Sequence, residues 1–215
     1  MTRNKEDYIK EIYKLGGGEE QVNNKRIAEV LNVSPASVTE MLGKLQKEEL
    51  IVYEPYKGSQ LTEEGKKAAI TLLRGHRLWE VFLIERLGYT WSEAHEDAEK
   101  LEHAAPVRLI DRLEEYLEYP AFCPHGSAIP QADGKVQRLQ LKSLLEMKEG
   151  ESSFIRRVTE ENDLMDYLQE LGIRIGSKVT VDKFGALEGP VAIRIDDTPK
   201  QLSYKAAGMV YVDKN

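Results

Sequence analysis

Apolar residues recur at helical spacing through the first half of this chain and at strand spacing through its last third. Residues 4–15 place Ile9, Ile12 and Tyr13 on one face, with Asp7 and Glu11 one turn apart on another, and Gly16-Gly17-Gly18 ends the helix. A short amphipathic helix follows over Asn24–Leu31, with Asn24 as its candidate cap, then a turn at Asn32-Val33-Ser34. Pro35 suits the first position of a helix 35–48, where Val38, Met41, Leu42 and Leu45 fall at i, i+3, i+4 and i+7. Leu50–Glu54 and Ser59–Thr62 read as two short strands around Pro55-Tyr56-Lys57-Gly58. Helix, helix, turn, helix and hairpin is the plan of a winged helix-turn-helix.

From Thr62 a long helix runs to about Leu87 and is broken by Gly88-Tyr89. Ser92 is the expected cap of a helix to about Ala105, and Pro106 opens another that ends near Tyr119-Pro120. A loop rich in Gly, Pro and Ser begins at Cys123-Pro124-His125-Gly126 and reaches about Gly134; residues 135–148 suggest a linker or a short helix. Beyond them the period changes. Residues 153–158, 178–182, 191–195 and 209–212 alternate as strands, with a short helix over 160–171 and Gly turns between, the pattern of a small β-barrel.

The first of these parts has a face suited to DNA. Opposite its apolar stripe, the 35–48 helix offers Ser37, Glu40, Lys44 and Lys47, with Ser34 at the turn and Thr39 beside them. Short hydroxyls suit base edges or phosphates, and lysines suit the phosphate backbone. Without Arg or Gln on this face, direct base readout is modest, and two copies of the domain are needed for useful affinity. Glu40 can accept from a cytosine amine or simply be a solvated charge. Lys25, Ala36 and the wing residue Lys57 complete the candidate DNA contacts. The bland alternative, a helical hairpin with no DNA role, leaves the wing unexplained.

Charge sharpens the picture. The net charge is −7, which by itself counts against nucleic acid. Residues 1–75 nevertheless carry twelve basic and twelve acidic side chains, residues 76–140 seven against twelve, and residues 141–215 eleven against thirteen. The acid is concentrated in the middle, where His95-x3-Glu99-x2-Glu102-His103 places four metal-capable side chains at i, i+4, i+7 and i+8 of one helix. His76-x3-Glu80 lies at helical spacing on the preceding helix. Taken singly each is more often a solvated residue; together they form a cage of oxygen and imidazole donors, which suits Mn²⁺ or Fe²⁺ better than the thiolate sets of structural zinc. Cys123 and His125 can supply a second site. The lone cysteine excludes an intrachain disulfide and, with a charged N-terminus and no apolar run of ~18–20 residues, points to the cytoplasm with no membrane partner.

Enzyme motifs fail. His95 to Glu99 ends in Glu where a zincin helix needs a second His. Glu99 to His103 is one residue too long for a di-iron Glu-x-x-His. There is no phosphate-cradling Gly loop and no nucleophile elbow.

The chain resembles the diphtheria-toxin-repressor (DtxR/MntR) family, specifically its three-domain manganese-sensing members of the streptococcal type. The segments that carry the likeness are Ile27-Ala28-Glu29-Val30-Leu31 through Ser34-Pro35-Ala36-Ser37-Val38-Thr39, then Gly75-His76-Arg77-Leu78-Trp79-Glu80, Ala98-Glu99-Lys100-Leu101-Glu102-His103, and Cys123-Pro124-His125-Gly126-Ser127-Ala128-Ile129-Pro130. The resemblance covers essentially all 215 residues. It implies a winged-helix domain over 1–73, an all-helical metal-binding and dimerisation domain over 74–140, and an SH3-like (FeoA-like) small β-barrel over 141–215. It implies a homodimer that binds palindromic operators of metal-uptake genes once loaded with Mn²⁺, without an organic cofactor; Zn²⁺ or Cd²⁺ would bind in vitro. It implies a primary site of Asp7, Glu99, Glu102 and His103 with His76 close by. The implied ancillary site holds Glu80, His95, Cys123, His125 and an acidic residue of the last domain, Glu160 first and Asp163 as fallback. Iron-type members carry Met and Cys where this chain has Asp7 and Glu99, and two hard carboxylates favour Mn²⁺. The competing readings are an Fe²⁺-responsive repressor of the same family, a winged-helix regulator of an organic ligand, and a metalloenzyme. The dimer surface is expected among Leu83, Leu87, Trp91 and Leu109.

Overall fold

The computed structural model describes every residue except Tyr56, Arg138 and Asn215, so the Tyr56 of the expected wing turn lies outside the described residues. The described residues divide into two compact units: Met1–His76 with Leu101–Asp111 and Pro130–Lys135, and Arg77–Lys100 with Arg112–Ile129 and Val136–Asn215.

In the first unit, α1 (Arg3–Lys14), α2 (Asn24–Val30) and α3 (Pro35–Lys47) precede a two-stranded hairpin of β1 (Ile51–Glu54) and β2 (Gly58–Leu61). Each start has a local cause. The side chain of Asn23, one residue earlier than the expected Asn24, caps α2 by accepting from the Lys25 N–H at 2.7 Å. Ser34 caps α3 by accepting from the Ser37 N–H at 3.1 Å, and Pro35 takes the first turn. The apolar stripe predicted for α3 closes the core: Val38, Leu42 and Leu45 are fully buried with Ile9, Ile12, Ile27, Ile51 and Leu61. Leu42→Ala should cost about 2–5 kcal/mol in a chemical denaturation series. The hairpin pairs Ile51 with Leu61 and Glu54 with Gly58, and a bridge between Val22 and Ser59 ties it to the segment before α2.

α4 (Glu63–Leu87) begins at Thr62, whose hydroxyl accepts from the Gly65 N–H at 3.1 Å. It ends at Gly88, whose φ of +75° suits glycine. α5 (Trp91–Leu101) is capped by Thr90 rather than by Ser92: the Thr90 N–H donates to Glu93 at 2.9 Å, and the Glu93 N–H donates to the Thr90 hydroxyl at 3.4 Å, a reciprocal capping box. It also stops at Leu101, short of the expected Ala105, so Glu102 and His103 stand in the turn that follows. α6 (Val107–Tyr116) follows Pro106.

The second unit holds one six-stranded antiparallel sheet in the order β3-β8-β4-β5-β6-β7, where β3 is Leu141–Ser143, β4 Ser152–Val158, β5 Lys178–Gly185, β6 Gly189–Ile195, β7 Thr198–Leu202 and β8 Val210–Asp213. α7 (Asn162–Glu170) and α8 (Tyr204–Gly208) pack with it over a core that includes Ile155, Val179, Val191, Ile193, Leu202 and Val212. The expected barrel is thus a sheet whose outer strands, β3 and β7, are not paired with each other among the described residues. Strand β3, in the segment read as linker or helix, and β7 and α8 are additions to the expected plan. Of the proposed dimer residues, Leu83 is core and Trp91 packs against the sheet's apolar core, whereas Leu87 and Leu109 are exposed. No helix is long and apolar enough to cross a membrane among the described residues.

Candidate metal centres and nucleic-acid face

Two clusters of donors form, one inside each unit. In the first, α1 contributes Glu6, Asp7 and Lys10, α4 contributes His76, and the turn after α5 contributes Glu102 and His103. His103 Nε2 lies 2.9 Å from Asp7 Oδ1 and 3.3 Å from Glu102 Oε1, while its Nδ1 meets Glu6 Oε2 at 2.6 Å. His76 Nδ1 lies 2.7 Å from Glu102 Oε2. Glu102 and His76 are fully buried, and His103 nearly so.

These approaches are close, but several are not aligned as hydrogen bonds. Glu102 Oε2 and His103 Nε2 are buried and have no hydrogen-bond partner among the described residues, although carboxylate or imidazole atoms stand next to them. Buried polar atoms in that condition are costly. One ligand atom each of Asp7, Glu102 and His103 also lies within 4.8 Å of the others. Buried nitrogen and oxygen atoms that converge without aligned hydrogen bonds fit a divalent cation of oxygen and imidazole preference. Glu99 sits half-buried on the last turn of α5, three and four residues ahead of Glu102 and His103.

In the second unit the cluster is built by a tight loop. Phe122 bridges Ala128, the Cys123 N–H donates to the Ser127 carbonyl at 2.9 Å, and the Gly126 N–H returns to the Cys123 carbonyl at 2.9 Å. Gly126 has a φ of +82°, and a Cβ there would lie 1.7 Å from the Arg156 carbonyl oxygen, so the loop lies directly against β4. The Val158 N–H donates to the His125 carbonyl at 3.0 Å, and Ser127 Oγ donates to Glu160 at 2.9 Å. One ligand atom from each of Glu80, Cys123, His125 and Glu160 comes within 4.8 Å of the others. His95 joins at the edge, its Nδ1 2.9 Å from Glu80 Oε1. His125 Nε2 is buried without a hydrogen-bond partner among the described residues. Burial raises the Cys123 thiol well above its usual range, and the charges of Glu80 and Glu160 push it further. The thiol therefore keeps its proton at neutral pH unless a cation displaces it. Glu160, not Asp163, belongs to this group.

The helix stripe expected to make one cage is therefore divided: His95 goes with Glu80, while Glu102 and His103 go with Asp7. Glu6 and Lys10 were not anticipated. The available signal was their position on the Asp7 face of α1, where charged residues on an exposed face and on a buried face read alike.

On α3, Ser34, Ala36, Ser37, Thr39, Glu40, Lys44 and Lys47 are all exposed, as are Lys25 and Lys57. Some are already engaged. The Ser34 hydroxyl is committed to its cap and contacts the Ser37 hydroxyl at 2.9 Å, and Thr39 Oγ1 donates to the Pro35 carbonyl at 3.0 Å. Lys44 pairs with Glu40 at 2.7 Å, Lys57 with Glu54 at 2.6 Å and Lys25 with Glu29 at 3.8 Å. The Lys44 ammonium bonded to Glu40 holds that carboxyl below its usual range.

Known proteins align with this arrangement. Residues 1–59 match the family described as iron dependent repressor, N-terminal DNA binding domain. Residues 62–131 match iron dependent repressor, metal binding and dimerisation domain, and residues 142–214 match the FeoA domain. The HTH-type transcriptional regulator MntR of Geobacillus thermodenitrificans is 40% identical over 118 residues, which is 55% of this chain and 83% of that protein. A manganese-dependent transcriptional repressor solved in complex with manganese superposes with a TM-score of 0.88 at 31% identity, covering 98% of this chain and 100% of the other. ScaR solved with bound Zn²⁺ gives 0.82 at 38% identity, covering 98% and 99%.

Proposed function

Given that this chain belongs to the iron-dependent repressor family, a family of DNA-binding regulators rather than enzymes, we propose that it is a Mn²⁺-responsive transcriptional repressor of the cytoplasm. In this reading residues 1–73 bind DNA, 74–140 bind metal and dimerise, and 141–215 form the FeoA-type domain. The observation that carries it is the approach of Asp7, on the first helix of the DNA-binding part, to Glu102 and His103, with buried donor atoms left unmatched by hydrogen bonds.

A bound divalent cation supplies positive charge and coordination positions to which several carboxylates can turn at once. Asp7, Glu99, Glu102 and His103 are the primary donors, with His76 holding Glu102 from behind. Without a divalent cation Glu6, Asp7 and Glu102 share only the Lys10 ammonium as counter-charge, and Asp7 is held less firmly to His103. With one, Asp7 stays drawn to Glu102 and His103, so α1 fixes where its core partner α3 points. In a homodimer this sets two α3 helices at the spacing of major-groove half-sites in a palindromic operator, about one helical turn (~34 Å) apart. Asp7 and Glu99 are hard donors and favour Mn²⁺, whereas the thiol of Cys123 gives the Glu80, His95, Cys123, His125 and Glu160 group a tolerance for softer ions such as Zn²⁺ or Cd²⁺. Leu87, Leu109 and the neighbouring exposed Val107 and Tyr116 are apolar side chains that a second copy would cover.

The test is a titration of a palindromic promoter fragment with the full chain, with Mn²⁺ and with chelator. Binding should tighten about 5–150-fold with Mn²⁺. Equal binding by the metal-stripped protein refutes the reading.

A further inference from the structure

Lys10 stands among the largest fully buried side chains of the protein, with 2% of its surface exposed, although the residues on either side of it are Ile9 and Glu11 of a surface helix. Its ammonium donates to Glu102 Oε1 at 2.6 Å. A buried ammonium survives only where anionic groups replace its hydration, and here Glu6, Asp7 and Glu102 surround the cluster, with His76 and His103 between them. Those three carboxylates against one ammonium leave a charge of minus two, which one divalent cation cancels. Counting the proposed donor Glu99 as well, one dication leaves a single negative charge and a second overshoots it. If the ammonium were missing, the same donors would balance two dications.

Resting on the metal reading above, we propose that Lys10 is a built-in monocation that limits the primary cage to one divalent ion and lowers the affinity for that ion. The ammonium occupies Glu102 Oε1, so that oxygen is not open to a further ion. It also repels any dication placed within a few ångströms in a partly desolvated cluster. The residue is a specificity determinant for ion number and takes no part as a ligand.

The experiment titrates Mn²⁺ into the full chain and into three variants, with electron paramagnetic resonance as the readout. Two manganese ions in one cage couple magnetically and lose the hyperfine pattern of an isolated ion; an ion held alone keeps it. Lys10→Glu should take up one more equivalent than the parent and show the coupled signal. Lys10→Met should bind its first ion about tenfold or more tightly, because the repelling charge is gone. Lys10→Arg, which keeps the charge, should match the parent in ion number. A folded Lys10→Glu protein with the parent's ion count and an isolated-ion spectrum overturns the proposal. Should Lys10→Glu not fold, Lys10→Met with unchanged affinity overturns it instead. If the parent itself takes up no manganese, it is the metal reading that falls, so the two failures are distinct.

Discussion

Asp7→Ala will keep its fold and lose the response to manganese. Asp7 lies near the start of α1, partly exposed, and contributes no apolar surface to the core of Ile9, Ile12 and Leu42, so its removal should alter stability by less than about 1 kcal/mol. What it removes is the only oxygen on α1 that meets His103 Nε2, at 2.9 Å, among the described residues. His103 and Glu102 can still hold an ion, but α1 then supplies no ligand across from His103 Nε2 and, among the described residues, meets the cage only through the Glu6–His103 and Lys10–Glu102 contacts. The coupling between metal and operator, about 1–3 kcal/mol in systems of this kind, should vanish. Gel-shift titrations would then show the variant binding a promoter fragment equally with Mn²⁺ and with chelator, while its melting curve stays near that of the parent. A variant that still tightens on the fragment as much as the parent would show that α1 is positioned by something else.

Gly126→Ala should be among the most damaging single-methyl additions available to this chain. Its φ of +82° alone carries strain for alanine, and the added Cβ would lie 1.7 Å from the Arg156 carbonyl oxygen and 2.8 Å from the Arg157 Cα. Backbone cannot swing aside as a side chain can. The loop must leave β4, breaking the Val158-to-His125 hydrogen bond and drawing Cys123 and His125 away from Glu80 and Glu160. The expected loss is at least about 3 kcal/mol in chemical denaturation, together with any metal uptake proposed for that second group. Trp91 packs edge-on against the His125 ring at a centroid distance of 5.5 Å, so its fluorescence reports the displacement directly. Gly150→Ala is the control. Gly150 has the same φ of +82° but nothing within 4 Å of its added Cβ, so it should cost only the backbone strain. If the two variants are equally stable, the close approach of the loop to β4 is not as described.

The contrast between what the chain discloses and what it conceals follows the range of the interactions. α3 is legible because everything that makes it is local: Ser34 caps it, Pro35 starts it, and Val38, Leu42 and Leu45 recur at its own period. The start of α5 lies two residues before the one composition suggests, because Thr90 and Ser92 are equally good caps by composition and only Glu93, three residues after Thr90, breaks the tie. β7 is not legible in the sequence because Thr-Pro-Lys-Gln-Leu lacks alternation and contains proline, which an edge strand tolerates and a central one does not. The short β3 is likewise set by its pairing with β8 and not by its own three residues. Among the donors, His76, Glu80, His95, Glu102 and His103 stand out by spacing on helices. Asp7 and Glu160 do not, since each meets its partners only through the fold, and for them the family resemblance was the sole guide. Lys10 is the extreme case. Nothing in the order of residues separates an ammonium in solvent from one sealed against Glu102.

The lysines of the DNA face have a consequence of a different kind. Lys25, Lys44 and Lys57 each already share their charge with a glutamate three or four residues away, and residues 1–75 have as many acidic as basic side chains. A phosphate must therefore compete with Glu29, Glu40 or Glu54 for each of these ammonium groups, and each one it wins leaves an unpaired carboxylate beside the duplex. Such a head has little standing attraction for arbitrary duplex. It would hold arbitrary duplex only briefly, and occupancy of a promoter would depend on how well two such heads are spaced for it.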